Sequence, residues 1–377
     1  MVAGWSIGCY RLDSQWPARA LRCGSDGVTD APDISVVMAV YNGEHFLPET
    51  LQSVLKQSHA GFEFLIVDDA SDDMTPDLLA QAAATDGRIR LIRNERNLGL
   101  TVSLNVGLRA ASGKYIARID ADDVCLPDRL AQQLAFMEAN PDHSAVACGH
   151  HVIDASGLTM RTVSGGLDDW QIRWLGGFNP PAPHPTYFFR RSCYDGSTNL
   201  YDEAFRTAQD FELWSRLALQ GKTQVLPDVL VKYRRHANAI TVLKRREQAT
   251  SCAIIGRSNL GRRLPADIVS QLEPLISLFS YQSEADRSTI IAAVTGCDAM
   301  LAHDLGSAPT ARHRRWVRRM TAGLLAETIL SRAGGLRSIS KTLMFLFYAR
   351  RYLPGLFGAV TSDPMMALKS LKNIARY

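Results

Sequence analysis

Four short runs of apolar residues, rich in Val and Ile, stand out in the first third of the chain. They occupy residues 34–40, 62–69, 89–94 and 115–120, and runs of this length are typical of buried strands. The segments between them space their apolar residues three or four positions apart, which predicts helices at 46–58, 75–84 and 101–111. This alternation predicts an α/β fold, in which helices cover both faces of a mostly parallel sheet.

Beyond residue 125 the periodicity is weaker. It predicts helices at 126–140 and 209–220, and strands at 145–154, 184–191 and 229–236. Residues 241–377 show helical spacing almost throughout. We therefore divide the chain into a loose leader (1–32), an α/β domain (33–240) and a helical C-terminal region (241–377).

The composition of the 377-residue chain is that of an ordinary globular protein, with 46% hydrophobic and 21% charged residues. It excludes a disordered chain, a collagen-like fibre and a disulfide-stapled miniprotein. The cysteines form no CxxC pair, and no apolar run approaches the roughly 20 residues of a membrane-spanning helix. The first residues lack the apolar core of a secretion signal. We therefore expect a cytoplasmic protein in a reducing compartment.

The net charge of +4 hides an uneven distribution. Residues 1–240 carry 22 Lys and Arg against 29 Asp and Glu, a balance of −7, whereas residues 241–377 carry 20 against 9, a balance of +11. An acidic front and a basic back indicate different roles. The basic region is expected to meet an anionic partner.

Carboxylates cluster where two of the predicted strands end. Asp120, Asp122 and Asp123 follow one strand, and Asp68 and Asp69 end another. Ligands bind beyond the carboxyl ends of parallel strands, and like charges this close repel one another unless a cation neutralises them. Mg²⁺ or Mn²⁺ suits such oxygen ligands, with substrate phosphates completing the coordination. A solvated acidic turn with helix-capping duties is the alternative that these residues leave open.

Several common nucleotide and metal motifs do not occur in this chain. The dinucleotide motif GxGxxG, the phosphate loop GxxxxGK[ST] and the zinc motif HExxH are all missing. The carboxylates at the sheet edge are therefore the main chemical signal.

Three segments in a fixed order carry a specific resemblance: ISVVMAVYNGEHFLPETLQSVLKQS, FEFLIVDDASDD and NERNLGLTVSLNVGLRAASGKYIARIDADDVCLPDRL. Over roughly residues 33–240 the chain resembles the family 2 glycosyltransferases of the GT-A fold. The resemblance implies the nucleotide-diphospho-sugar transferase fold and a nucleotide-sugar donor, usually a UDP-sugar. It also implies a role in making a bacterial polysaccharide or cell-surface glycan.

The resemblance assigns residues to the nucleotide end of the donor site. Asp69 matches the aspartate that contacts uracil, with Asp68 beside it. Val40 and Tyr41 match residues that pack on the base. Asn97 is a candidate for the lining of the same pocket, with a plain loop role as the alternative.

The resemblance also assigns residues to the reacting end of the site. Asp120 and Asp122 match the D-x-D pair, with Asp122 the metal ligand and Asp120 nearer the ribose. Asp210 matches the general base, in a motif that usually reads Glu-Asp and here has Gln209 in first place. His236 matches a histidine found near the donor phosphates.

These assignments suit the chemistry of sugar transfer. Departure of a diphosphate develops negative charge, which a bridging metal ion stabilises. The acceptor hydroxyl needs a base within hydrogen-bond reach, and one base opposite one leaving group gives a single displacement with inversion at the anomeric carbon. From the residues alone, capping of the helix at 209–220 is an equal alternative for Asp210.

Two other functions remain open. A nucleotidyltransferase would share the sheet and the metal, although YNGEHFLP is a poor match to the Gly-rich phosphate loop that it would need. The second is a catalytically silent nucleotide-sugar-binding protein that acts through its basic tail.

The basic tail interleaves Arg and Lys with apolar residues at 311–319 and 339–357. Helices of this type lie in the membrane interface, where each cationic side chain contributes roughly 1 kcal/mol. Packing onto the α/β domain, a partner-binding helix and a nucleic-acid patch are the alternatives; no recognised nucleic-acid module is present, and we expect no nucleic-acid partner. We expect a peripheral protein at the inner face of the cell membrane, with a glycan or lipid-linked saccharide as acceptor.

Overall fold

The computed structural model describes residues 32–194, 200–237 and 244–279, together with 295–296, 299–300, 310–317 and 320. The predicted leader lies outside the described residues except at position 32. The segment 339–357 and most of the C-terminal region beyond residue 279 lie outside them as well.

Nine strands form one sheet in the described part of the chain. In order they are β1 (Ile34–Val40), β2 (Phe62–Asp68), β3 (Ile89–Arg93), β4 (Tyr115–Arg118), β5 (Val124–Cys125), β6 (His143–Ile153), β7 (Thr159–Val163), β8 (Phe188–Arg190) and β9 (Lys222–Arg234). The first four predicted strands are confirmed, with ends that differ by at most two residues.

The helices that the structure describes are α1 (Leu47–Leu55), α2 (Thr75–Thr85), α3 (Leu100–Ala110), α4 (Arg129–Ala139), α5 (Asp169–Leu175), α6 (Gln209–Gln220), α7 (Arg245–Gly261) and α8 (Ala266–Phe279). Residues 311–317 are also helical. The prediction for 209–220 is confirmed at both ends. Helix α5 was not predicted; it begins with a capping box in which Asp168 and Gln171 bond each other's backbone N–H groups.

Parallel strands make up one half of the sheet and a mixed arrangement the other. The strand order is β3-β2-β1-β4-β8-β6-β9-β5, with β7 beside β6. Strands β3, β2, β1 and β4 are parallel, as predicted. Strand β8 runs antiparallel to both β4 and β6 and joins the halves, and β9 lies parallel to β6.

Two strand predictions differ from the structure in length. Within the predicted strand 184–191, residues His184–Thr186 form a turn of 3-10 helix, and only Phe188–Arg190 pair in the sheet. Pro185 explains the difference because it has no backbone N–H to donate to a neighbouring strand. Strand β9 begins at Lys222 rather than 229 and includes Pro227.

The two faces of the sheet carry separate apolar cores. On one face, α1, α2 and α4 pack through buried residues such as Leu51, Leu79 and Met137. On the other, α3 and α6 pack through residues such as Leu104 and Trp214. Helices on both faces hold the sheet rigid, so the loops at its edge start from fixed positions.

A third apolar cluster connects the C-terminal region to the α/β domain. Trp170 and Trp174 of α5 pack there with buried residues of α7 and α8. The short helix at 311–317 joins them: the ring of His313 stacks on Trp170 at 4.4 Å between centroids, and Trp316 meets Trp174 edge-on at 5.5 Å. No helix within the described residues is long and apolar enough to cross a membrane.

Candidate functional site

The candidate site lies at the edge of the sheet where β1, β2 and β4 end. Strand β1 pairs in parallel with β2 on one side and β4 on the other, so the segments after Val40, Asp68 and Arg118 leave the sheet side by side. The Asp69 backbone N–H donates to the Val40 carbonyl at 2.8 Å and holds two of these segments together. The fold thus gathers the predicted donor-site segments at one edge.

The turn after β4 places three carboxylates in different surroundings. Asp120 bonds the buried guanidinium of Arg118, while Asp122 is partly exposed and its Oδ2 lies 2.9 Å from His236 Nε2. Asp123 is fully buried. Burial raises the pKa of Asp123 well above its usual range, and the charges of Asp122 and Asp120 raise it further. Burial also raises the pKa of Asp120, whereas the charge of Arg118 lowers it.

Arg234, at the end of β9, fastens this acidic turn to its neighbours. Its backbone N–H donates to Asp123 Oδ1 at 2.6 Å, and its Nε donates to the Asp122 carbonyl at 2.8 Å. The other guanidinium nitrogens reach Glu49 of α1 and two carbonyls of the β6–β7 turn. Because the side chain is buried and every nitrogen has a partner, Arg234 braces the turn.

The carboxylate of Asp69 anchors the loop between β3 and α3. Its Oδ1 accepts hydrogen bonds from Asn94 Nδ2 at 2.7 Å and from the Leu98 N–H at 2.8 Å, and its Oδ2 accepts from the Gly99 N–H at 2.8 Å. Gly99 has φ 87° and ψ 161°, a conformation essentially restricted to glycine. Asp69 is buried. Because it holds Leu98 and Gly99, it fixes the position of the exposed Asn97, which directly precedes Leu98.

The neighbouring Asp68 has a bracing role. Its Oδ1 accepts from the Ser71 N–H at 3.0 Å, and its Oδ2 lies 3.4 Å from Arg93 Nε. The side chain is buried, so Asp68 shapes the turn after β2 from within.

The two residues predicted to pack on a base have opposite environments. Val40 is 4% exposed and belongs to the core under the sheet edge, whereas Tyr41 is 49% exposed. Asn42 follows with φ 48°, and its side-chain amide exchanges two hydrogen bonds with Asp72 at 2.7 and 3.0 Å. The loop after β1 therefore holds the Tyr41 ring in solvent at the rim of the site.

Asp210 occupies the first turn of α6, after Ala208 in a left-handed conformation with φ 59°. Burial raises the pKa of Asp210 to about 6, and the negative charge of Asp120 adds to the rise, whereas the Phe211 backbone N–H favours the ionised form. The N-terminal end of the helix favours negative charge as well. Asp210 is therefore ionised near neutral pH and accepts a proton readily just below it.

Several polar side chains near Asp210 were not predicted from the sequence. Tyr201 donates to or accepts from His184 at 2.6 Å between oxygen and Nε2. After burial itself, the charge of Asp210 is the next cause that raises the pKa of Tyr187 and of Cys252. For Arg118 the sequence carries a signal, because a charged residue stands between apolar residues of the predicted strand 115–120.

The residues of the acidic turn suit a divalent cation whose coordination is completed by a bound ligand. Within the described ranges no three His, Cys, Asp or Glu side chains are grouped to hold a metal ion. Asp122 and Asp120 are 32% and 28% exposed at one turn. One or two carboxylates plus substrate phosphates are a usual ligand set for Mg²⁺.

Comparison with known sequences places the chain among glycosyltransferases. Residues 35–196 match the family profile described as glycosyl transferase family 2. The chain is 32% identical over 257 residues to the putative glycosyltransferase EpsE of Bacillus subtilis, covering 67% of this chain and 91% of that one. It is 30% identical over 229 residues to the succinoglycan biosynthesis protein ExoO of Rhizobium meliloti, covering 57% and 64%.

Comparison with solved structures confirms the predicted GT-A fold. Residues 1–349 of S. aureus TarS in complex with UDP-GlcNAc superpose with a TM-score of 0.53 at 15% identity, covering 91% of this chain and 90% of that one. A mannosyltransferase of Pyrobaculum calidifontis in complex with GDP-Man and Mn²⁺ gives 0.51 at 18% identity, covering 93% and 88%.

The brace at Arg234 leads to a test of stability. We expect Arg234→Met to lower the free energy of unfolding by at least about 2 kcal/mol, because it removes the hydrogen bonds of a buried guanidinium to three backbone carbonyls and to Glu49. Glu49→Gln removes only the half-exposed partner, and we expect it to cost less than about 1 kcal/mol. Urea unfolding of both variants measures this; equal losses would contradict the role of Arg234 as the brace.

Proposed function

Since the chain belongs to glycosyl transferase family 2, we propose that it transfers a sugar from a nucleoside-diphosphate sugar, a UDP-sugar in the first instance, to a hydroxyl of a glycan or lipid-linked saccharide. The observation that carries this proposal is the meeting of two groups at one sheet edge. The partly exposed Asp120–Asp122 turn lies within electrostatic range of Asp210, a carboxylate with a pKa of about 6.

The nucleotide occupies the side of the site near β1 and β2 in this proposal. The exposed ring of Tyr41 stacks on the base, whereas Val40 lies in the core below and supports the start of this loop. Asp69 supports the pocket chiefly by fixing the loop that carries Asn97, since both of its oxygens already accept hydrogen bonds. Asp68 braces the same corner from below. Complexes of TarS with UDP and UDP-GlcNAc favour uridine, whereas the mannosyltransferase binds GDP-Man.

The diphosphate lies against the acidic turn. Asp122 holds Mg²⁺ or Mn²⁺ together with the donor phosphates, and Asp120 lies beside it toward the ribose. When bound, the metal ion supplies positive charge that stabilises the departing diphosphate. His236, 2.9 Å from Asp122, orients that carboxylate and faces the phosphates.

Asp210 acts as the general base. It removes the proton of the acceptor hydroxyl as that oxygen attacks the anomeric carbon and the bond to the diphosphate breaks. A single attack opposite the leaving group inverts the configuration. Gln209 stands where the usual motif has Glu, so residue 209 adds no negative charge beside Asp210. The pKa of Asp210 is raised by burial and by the charge of Asp120.

The acceptor approaches Asp210 from the side of α7. The Thr207 and Ser251 hydroxyls lie 3.3 Å apart there, and the charge of Asp210 acts on Cys252 of α7. The relative that acts in succinoglycan biosynthesis supports a polysaccharide precursor as acceptor.

Attachment to the inner face of the membrane is part of the proposal. In the helix at 311–317, His313 and Val317 are buried against the α/β domain, whereas Arg312, Arg314 and Arg315 are exposed. This division of faces supports both packing onto the domain and contact with anionic headgroups.

The donor site predicts metal-dependent nucleotide binding. In a thermal-shift panel of UDP, GDP, CDP and dTDP, we expect UDP with Mn²⁺ to stabilise the protein, by about 2.7 kcal/mol at a hundredfold excess over Kd. Asp122→Ala is expected to lose this shift, and Asp228→Ala, which removes an exposed carboxylate of β9, to keep it. A shift by UDP that persists in Asp122→Ala would refute the metal-ligand role.

The base assignment predicts a defined kinetic defect. Asp210→Asn is expected to bind UDP as wild type does and to lose turnover by on the order of 10²–10⁴-fold. Because the base acts deprotonated, wild-type kcat is expected to rise with pH through about 6. Glu212→Gln, in the same helical turn, serves as control and retains turnover. Near-normal activity of Asp210→Asn would remove Asp210 from the mechanism.

The exposed arginines predict binding to anionic vesicles. We expect the triple change Arg312→Glu, Arg314→Glu and Arg315→Glu to weaken binding to phosphatidylglycerol vesicles by on the order of 10²-fold, at roughly 1 kcal/mol per side chain. Lys56→Glu, on the α/β domain, is the control. Cosedimentation measures this, and unchanged binding of the triple variant would argue against membrane contact through this helix.

A further inference from the structure

Arg118 is the charged last residue of β4, with Ala117 before it and Ile119 after it. Its side chain is 1% exposed. Removing a guanidinium from water is costly unless hydrogen bonds or a charged partner offset the loss. The buried position of Arg118 at the end of β4 therefore calls for partners within the protein.

One partner is the first carboxylate of the acidic turn. Arg118 Nη2 donates to Asp120 Oδ1, and the strand fixes the main chain of Arg118 through its N–H, which donates to the Tyr187 carbonyl at 2.9 Å. The Nη2 atom of the guanidinium bonds Asp120. The positive charge of the group also acts on other residues nearby.

The charge of Arg118 reaches the other side of the site. It lowers the pKa of Asp210, against the raising effects of burial and of Asp120. The other groups that act electrostatically with Asp210 are Tyr187, Tyr201 and Cys252, and none of these carries positive charge. Arg118 is thus a cation that acts on both Asp120 and Asp210.

We propose that Arg118 is a positioning residue for the transfer reaction: its hydrogen bond fixes Asp120, and its buried positive charge offsets the paired negative charges of Asp120 and Asp210. The inference rests on the proposed function, in which Asp120 faces the donor and Asp210 deprotonates the acceptor. It adds a residue that touches neither substrate, that holds Asp120 through a hydrogen bond and that places a buried positive charge near Asp210.

Arg129 provides a matched control. It is also fully buried, and it lies against the same strand. Its side chain, however, bonds only uncharged groups: Gln133 Oε1 at 3.1 Å, Cys125 Sγ at 3.2 Å, and the carbonyls of Arg118 and Tyr187. Replacing Arg129 should disturb packing alone, whereas replacing Arg118 should also change the charge beside Asp210.

The experiment compares Arg118→Lys, Arg118→Met, Arg118→Gln and Arg129→Lys in the full chain. Turnover is measured as release of UDP from UDP-glucose and UDP-N-acetylglucosamine, with water as the acceptor of the sugar. Ionisation of Asp210 is measured separately, as the carboxyl C=O stretch that infrared difference spectra lose in the Asp210→Asn background. Thermal melts report how much of each variant is folded.

We expect Arg118→Met and Arg118→Gln to lose kcat by on the order of 10²-fold with donor KM changed less than about threefold, whereas Arg118→Lys recovers part of the loss because it keeps the charge. The Asp210 midpoint should rise by about one pH unit in Arg118→Met and Arg118→Gln, since a nearby positive charge is lost. It should stay in place in Arg118→Lys and Arg129→Lys.

Failure of this inference differs from failure of the proposed function. If wild type releases UDP while the uncharged variants keep the wild-type kcat and Asp210 midpoint, or lose activity only in proportion to folded protein as Arg129→Lys does, Arg118 is structural and the inference is wrong. If wild type releases no UDP from either donor, the proposed function fails for these donors. The infrared midpoints of the folded variants still decide whether Arg118 sets the charge state of Asp210.

Discussion

Repulsion among carboxylates governs the architecture of this site. Asp120, Asp122 and Asp123 follow one another closely, and Asp210 faces them from α6. Neighbouring charges interact strongly where water screens them little, as at the buried Asp123. Each of the three carboxylates in the turn is stabilised by a different device: a buried guanidinium for Asp120, an imidazole for Asp122, and a backbone N–H together with a raised pKa for Asp123.

These devices come from distant parts of the chain, so the site depends on the whole sheet. Arg118 precedes the turn on β4, whereas Arg234 and His236 arrive with β9. Strand β9 is linked to β4 through β6 and β8. The carboxylates therefore keep their places only when the parallel half and the mixed half of the sheet are both formed.

The parallel half and its helices were predictable because their apolar periodicity is local. The resemblance then located Asp69, Asp120, Asp122, Asp210 and His236, whose positions the structure brings to one region. The sequence pattern could not predict contacts between residues that lie far apart along the chain. Asp69 reads as a ligand-facing residue in sequence, yet its oxygens hold the loop at Asn94–Gly99. The pairing of Arg234 with the acidic turn likewise joins residues more than a hundred positions apart.

The mixed half of the sheet was less predictable for a different physical reason. Strand β8 is only three residues long and follows a proline-containing turn, so its length carries little periodic signal. Helix α5 depends on a capping box and on two tryptophans that pack against later helices. Such elements are stabilised by tertiary contacts more than by their own propensities.

The joint between α6 and α7 has a consequence for how such enzymes diversify. The helix that carries Asp210 touches α7 through Phe211 and Ile255 and through the Thr207–Ser251 contact, while the tryptophans of α5 pack on α7 and α8. A new C-terminal region therefore cannot be joined at residue 240 without changing the contacts between α6 and α7. Chimeras cut there would separate the helix bearing the base from its support, so an exchanged C-terminal region has to keep the residues through which α6 and α7 touch.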